Sequence, residues 1–126
     1  MIHELPVRVY YEDTDFGGIV YYANYLKFIE RGRSEWVREI GIDQIALKAE
    51  GIVFAVRRVE ADYLAPAKFD DQLIVRTEVT KVGGASVTFL QTVLRGDITL
   101  FQATVVVVTM GANDRPVRLP ANFRPE

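Results

Sequence analysis

Between Asn24 and Ile40 the apolar positions recur at helical spacing. At about 100° per residue, Tyr25, Ile29, Gly32, Trp36 and Ile40 fall on one stripe flanked by Leu26 and Val37, and Lys27, Glu30, Arg31, Ser34 and Arg38 fall opposite. Asn24 fits an N-cap and Gly41 a helix stop. Gly32 costs a helix interior about 1 kcal/mol relative to alanine. Its place on the apolar stripe predicts close approach of the helix backbone to a sheet. Arg33 lies awkwardly beside that stripe, with its stem expected to pack and its head to reach water or a carboxylate.

The rest of the chain changes period. Leu5 to Glu12 reads as a strand with Leu5, Val7, Val9 and Tyr11 on one face, and turn-forming residues from Asp13 to Gly18 break it. Asp43 to Glu50 reads as a short helical piece. Ile52 to Leu64 is a long strand, and Leu73 to Val82 alternates, with Leu73, Val75, Thr77 and Val79 on one side. Gly83-Gly84 turns into Ala85 to Arg95, and Gly96-Asp97 into Ile98 to Thr109, so three consecutive antiparallel strands are expected. Val105 to Val108 is apolar throughout, as in a strand buried on both faces. From Gly111 the chain reads as an irregular, proline-containing extension.

No linker or repeat interrupts this order, so residues 1–126 are expected to form a single α+β domain of five strands and one long helix. One helix covers only one face of such a sheet. The other face, or an edge strand, should be buried by self-association, with a homodimer the minimum and a homotetramer left open.

Composition narrows the chemistry. The 126 residues are 49% hydrophobic and 25% charged, the balance of a globular protein with its own core. A net charge of −2 disfavours nucleic acid as a partner. The absence of cysteine excludes disulfides, thiolate nucleophiles and iron–sulfur sites. The sole histidine, His3, stands almost at the start, leaving no basis for a multi-histidine metal site and a poor one for a Ser-His-Asp triad. No secretory signal pattern opens the chain, and no run approaches the roughly 18 apolar residues of a membrane span. The expected location is cytoplasmic, with neither metal nor cofactor.

Carboxylates, hydroxyls, lysines and arginines remain. They are richest in Glu12-Asp13-Thr14-Asp15-Phe16-Gly17-Gly18-Ile19-Val20-Tyr21-Tyr22, where three carboxylates precede two glycines and the start of the long helix. Glycines permit tight turns, and free N–H groups at a helix start stabilise an oxyanion. A carboxylate held beside them has the parts for acyl transfer, as general base or as nucleophile. Thioesters suit this equipment, because a thiolate leaves without a strong general acid. Taken by composition alone, the same stretch also reads as a solvated acidic turn or a cation-binding loop, although calcium-loop spacing fails after the first positions.

The whole stretch from Tyr10 to Tyr25 closely resembles the signature of the 4-hydroxybenzoyl-CoA thioesterase family, in particular its YbgC-type acyl-CoA thioesterases. The likeness continues through Phe28 to Trp36, Glu50 to Phe54, Asp62 to Asp71 and Gly83 to Ser86, and so covers nearly the entire chain. It implies a hot-dog fold, in which a five-stranded antiparallel sheet wraps one long helix, with active sites at a dimer interface. It implies hydrolysis of an acyl-CoA to a free acid and CoA. Asp15 matches the catalytic aspartate and Tyr22 the backbone N–H that receives the oxyanion. Asp13, Thr14, Gly17 and Gly18 match the shaping loop.

Two positions depart from the pattern. Many YbgC-type sequences carry histidine where this chain has Tyr22, and the arginine pair that the 4-hydroxybenzoyl-CoA enzyme places near the nucleotide phosphates falls on Gly83 and Gly84. Phosphate contacts must then come from elsewhere, with Arg57, Arg58, Lys68 and Lys81 as candidates that also read as solvated charges. Tyr11 and Tyr21 are candidates for the acyl pocket or for the core. Ser86 is either a contact reaching across an interface or turn chemistry. Glu30 and Glu35 are helical carboxylates that rival Asp15; Glu30 projects to the polar side. The alternatives are a thioesterase for acyl carrier protein and a non-catalytic hot-dog module that binds acyl ligands.

Overall fold

The alternation along the chain becomes one antiparallel sheet in the computed structural model, which describes residues 1–123. The elements are β1 (Ile2–Arg8), α1 (Asn24–Glu39), α2 (Gln44–Ala49), β2 (Val53–Tyr63), β3 (Gln72–Val82), β4 (Ser86–Arg95) and β5 (Ile98–Met110). The strands lie in the order β1-β3-β4-β5-β2, every neighbour antiparallel, with β1 and β2 at the edges. The three consecutive strands expected from the two glycine turns are β3, β4 and β5.

The long helix lies on one face of this sheet. Tyr25, Phe28, Ile29, Gly32, Trp36 and Val37 are buried against Leu73 and Val75 of β3, Val87, Phe89 and Val93 of β4, and Ala103, Val105 and Val107 of β5. Contact is closest at Gly32. A Cβ there would stand 2.8 Å from Thr77 Oγ1, 2.8 Å from Val75 Cγ1 and 3.2 Å from Gln91 Nε2. The glycine in the apolar stripe is therefore the seat of the helix on the sheet. At the far end Gly41 takes φ +90°, the left-handed stop expected of it.

Arg33 is more deeply placed than its stem-and-head reading implies, at 7% exposed. Its Nη1 donates to Gln91 Oε1 at 2.8 Å and its Nη2 to Glu30 Oε1 at 3.1 Å. Burial lowers the guanidinium's pKa, partly offset by the Glu30 charge. Gln91 in turn donates to the Ile29 carbonyl at 2.8 Å and to Thr77 Oγ1 at 2.9 Å, so this polar row in the core is hydrogen-bonded.

Several boundaries differ from the pattern. The first strand ends at Arg8, because Asp13 Oδ2 accepts the Tyr10 N–H at 2.8 Å and winds Tyr11–Asp13 into a single 3-10 turn. Leu5, Val7 and Val9 keep the inward face, while Tyr11 leaves it and is 79% exposed. Asn24 does not cap its helix; the cap position is Ala23, and the Asn24 amide reaches the Asp13 carbonyl at 2.9 Å. Val106 and Val108 are only half-buried, since no second layer of this chain lies on the outer face of β5. The tail is irregular, as expected, yet Leu119 and Phe123 enter the core, with Phe123 stacked on Trp36 at 5.6 Å. The last part of that extension, 124–126, lies outside the described residues.

Replacing Gly32 with alanine should lower stability by about 1–3 kcal/mol through overpacking, although alanine favours a helix by about 1 kcal/mol. Urea unfolding measures this, and an equal or higher midpoint would contradict the close seat.

Candidate active site

The loop after β1 is built by its own backbone. Thr14 and Val20 pair across a tight hairpin in which the Asp15 N–H donates to the Ile19 carbonyl at 2.9 Å and the Gly18 N–H to the Asp15 carbonyl at 3.0 Å. Gly18 sits at φ +81°, where a side chain would be strained. Asp15 Oδ1 accepts the Gly17 N–H at 2.9 Å, which fixes the carboxylate's direction. Thr14 Oγ1 donates to the Tyr11 carbonyl at 2.9 Å. The Asp13 carboxylate shapes the preceding turn, while its carbonyl accepts the Tyr21 N–H and the Asn24 side-chain amide, both at 2.9 Å. Both aspartate side chains are thus aimed at backbone N–H groups of the loop, and among the described residues no three His, Cys, Asp or Glu side chains converge to hold a metal.

A second wall comes from the segment after β2. The Val20 N–H donates to the Ala67 carbonyl at 2.8 Å, and Ile19 pairs with Lys68. The Ala67 N–H donates to the Tyr25 hydroxyl at 3.1 Å, and the Tyr63 hydroxyl donates to the Tyr22 carbonyl at 2.8 Å. Arg95 Nη1 holds the same segment by donating to the Pro66 carbonyl at 3.2 Å and Asp71 Oδ2 at 2.9 Å.

Between the walls lies a cleft of about 410 Å³, lined among others by Asp15, Tyr21, Tyr22, Tyr25, Tyr63 and Pro66. Its floor is aromatic: Tyr25 stacks on Phe101 at 4.8 Å, and Tyr63 meets both rings edge-on. Burial raises the pKa of the Tyr25 phenol, against the lowering effect of the Ala67 N–H, and burial also raises that of Tyr63, so both stay protonated at neutral pH. Asp15 is exposed at the rim. The Tyr22 N–H, in the turn that leads into α1, has no acceptor among the described residues. Asp15 and Tyr22 thus line one apolar-walled cleft beside the start of α1.

The model of the thioesterase superfamily matches residues 17–102. The chain belongs to this superfamily. It is 47% identical over 103 residues to the acyl-CoA thioester hydrolase YbgC of Escherichia coli O6:H1, covering 82% of this chain and 77% of that protein. It is 44% identical over 121 residues to the acyl-CoA thioesterase YbgC of Haemophilus influenzae, covering 94% and 89%. A probable thioesterase from Bartonella henselae, of solved structure, superposes with a TM-score of 0.89 at 38% identity, over 95% of this chain and 100% of that one. The gentisyl-coenzyme A thioesterase BH1999 superposes at 0.91 with 22% identity, over 98% and 100%, a likeness of fold. The sheet wrapped on one helix is the hot-dog fold of these thioesterases.

In this thioesterase-superfamily chain the sequence candidates separate. Asp15, Tyr21 and Tyr22 line the cleft, and Asp13, Thr14, Gly17 and Gly18 form the loop that carries it. Tyr11 instead stacks on Phe69 at 4.4 Å and is absent from the lining. Lys81 borders a different, larger hollow of about 870 Å³ at the far end of α1, with Trp36 and Arg118. That hollow holds none of the loop's carboxylates, so its greater size does not make it the reactive site. Ser86 is half-buried at the start of β4, where its carbonyl accepts the Gly83 N–H at 2.7 Å. Arg57 and Arg58 lie exposed on edge strand β2, Arg58 paired with Glu60. Lys68 is exposed, and its backbone N–H is bound to Asp71 Oδ2 at 2.9 Å. Glu30 is committed to Arg33 and Glu35 to Arg38. Sequence reasoning missed Tyr25 and Tyr63 as walls. The only signal for them was the family likeness around Tyr25 and around Tyr63 to Pro66.

Tyr25→Phe keeps the stacking on Phe101 but strips the buried Ala67 N–H of its acceptor, which costs about 1–3 kcal/mol. Thermal unfolding should register the loss; an unmoved midpoint would mean that N–H finds another acceptor.

Proposed function

We propose that the chain is an acyl-CoA thioesterase that releases a free carboxylic acid and CoA, with Asp15 as the reactive carboxylate and the Tyr22 N–H as oxyanion donor. The observation that supports this reading is that Asp15 and Tyr22, whose N–H has no acceptor among the described residues, line the same cleft. The names of the relatives from Escherichia coli and Haemophilus influenzae, acyl-CoA hydrolases both, support CoA as the thiol.

With the thioester carbonyl oxygen against the Tyr22 N–H, negative charge developing on that oxygen meets a preformed donor and the positive end of α1. Asp15 then either takes a proton from a water that adds to the carbonyl carbon or adds to that carbon itself as nucleophile. In both cases the C–S bond breaks and the thiolate leaves. Direct addition leaves an anhydride that one water then opens. No histidine is required by either course.

The active unit is a cytoplasmic homodimer at minimum, with residues 1–126 forming one hot-dog domain of each copy. Edge strand β2 supports this: its eleven residues present Val53, Val56, Val59 and Tyr63 exposed, and its far end borders the cleft. A second copy seated there would wall the cleft from outside. Arg57 and Arg58, on the same strand, and Lys68, paired with Ile19 of the cleft, are then the candidates for the CoA phosphates.

Asp15→Asn should cut kcat toward short, medium, long and aromatic acyl-CoAs alike by about 10²–10⁴-fold, the range for losing a positioned acid–base group. Fold and dimer should persist, by circular dichroism and gel filtration. Full activity in that variant rejects the role given to Asp15. Asp13→Asn should be milder, and an equal loss would move the chemistry to Asp13.

A further inference from the structure

One hydrogen bond at the cleft comes from outside the loop and the helix. The Tyr63 hydroxyl, at the last residue of β2, donates to the carbonyl of Tyr22 at 2.8 Å across 41 residues of chain. Tyr22 precedes the helical cap residue Ala23 and lies with it inside the turn closed by the Asn24 N–H on the Tyr21 carbonyl at 2.8 Å. Its own N–H is acceptor-free among the described residues, and the neighbouring Tyr21 N–H and Asn24 N–H are tied to Asp13 and Tyr21 carbonyls. Beyond that turn, the Tyr63 phenol is the group that ties the Tyr22 carbonyl to the sheet.

That bond has two electrostatic effects. It binds a lone pair of the Tyr22 carbonyl, whose partial negative charge close to the cleft would otherwise repel a developing oxyanion. It also polarises the peptide linking Tyr22 to Ala23, which strengthens the Ala23 N–H beside the Tyr22 donor. The phenol keeps its proton for this task, since burial, with the nearby Tyr22 and Tyr25 phenols, holds its pKa above the ordinary value. The ring is separately held by edge-on contacts with Tyr22 at 6.2 Å, Tyr25 at 5.5 Å and Phe101 at 5.0 Å, so its packing does not depend on the hydroxyl.

We infer that Tyr63 is a positioning residue of the thioesterase reaction, whose hydroxyl anchors to β2 the turn that carries the Tyr22 N–H donor. The inference rests on the reading of Tyr22 given under the proposed function. It sets the end of edge strand β2 to work on the chemical step, because the donor is carried by the strand and the acceptor by the helix entry. Phenylalanine at position 63 retains every ring contact and removes only the donor, so it separates packing from positioning.

The test compares the wild-type chain, Tyr63→Phe, Tyr63→Leu and Asp15→Asn on one acyl-CoA that the wild type turns over. Tyr63→Phe should lower kcat about tenfold, the loss of one hydrogen bond's worth of transition-state stabilisation. Its KM should stay within about twofold, as expected for an interaction that matters in the transition state and not in the ground state. Its unfolding midpoint should match the wild type, whereas Tyr63→Leu should lower both midpoint and kcat. Wild-type kcat in Tyr63→Phe, with Asp15→Asn inactive, overturns the positioning role and leaves the reading of Asp15 standing. A Tyr63→Phe variant that raises KM with kcat unchanged, or lowers the midpoint along with activity, also overturns it, since binding or packing then explains the residue. Full activity in Asp15→Asn removes the reading on which the inference rests.

Discussion

Where α1 crosses β3 and β4, the side-chain amide of Gln91 is buried with three hydrogen bonds, from its nitrogen to the Ile29 carbonyl and Thr77 Oγ1 and to its oxygen from Arg33. Thr77 and Gln91 face one another across neighbouring strands, directly beneath Gly32. A helix laid on apolar side chains alone can slide and rotate with little penalty. One whose carbonyl and arginine are both claimed by a fixed amide cannot, because any shift leaves buried polar groups unpaired. Register of the helix on the sheet therefore comes from this polar row, and stabilisation comes from the apolar surface around it.

That register decides where the helix begins. With Gly32 seated over Thr77, the first turn of α1 falls between the Asp13–Val20 loop and the segment after β2, and backbone bonds join all three: Asp13 carbonyl to the Tyr21 N–H, Val20 N–H to the Ala67 carbonyl. The loop contributes a carboxylate and the helix a donor, while β2 and the residues after it contribute the aromatic wall. The cleft is the place where these three meet. In the proposed reaction the chemistry follows from placement more than from any unusual residue, in a chain with no cysteine and one histidine.

Much of this was legible before any coordinates. The long helix, its stop at Gly41, the close seat at Gly32 and the three glycine-linked strands all follow from local period and turn chemistry. The loop that carries Asp15 was visible as carboxylates and glycines, and the thioesterase family and its fold through likeness. What escaped were interactions between distant positions. Nothing near Arg33 in sequence announces Gln91, 58 residues on, so a buried guanidinium looked like a surface one. Asn24 has the chemistry of a cap, but its amide is drawn to Asp13, 11 residues back. Tyr11 read as pocket wall or core, yet it is exposed with its ring stacked on Phe69, and Tyr63 fills the wall instead. Lys81 drew attention by charge alone and lies by another hollow.

The most direct test of this account is a crystal structure with a CoA analogue in which a methylene between sulfur and carbonyl removes the scissile bond. The carbonyl oxygen should lie about 3 Å from the Tyr22 backbone nitrogen, and the Asp15 carboxylate should approach the carbonyl carbon directly at about 3–3.5 Å or through one water. A carbonyl bound in the hollow beside Lys81, or one in the cleft with the Tyr22 N–H and Asp15 both turned away from it, would contradict the assignment.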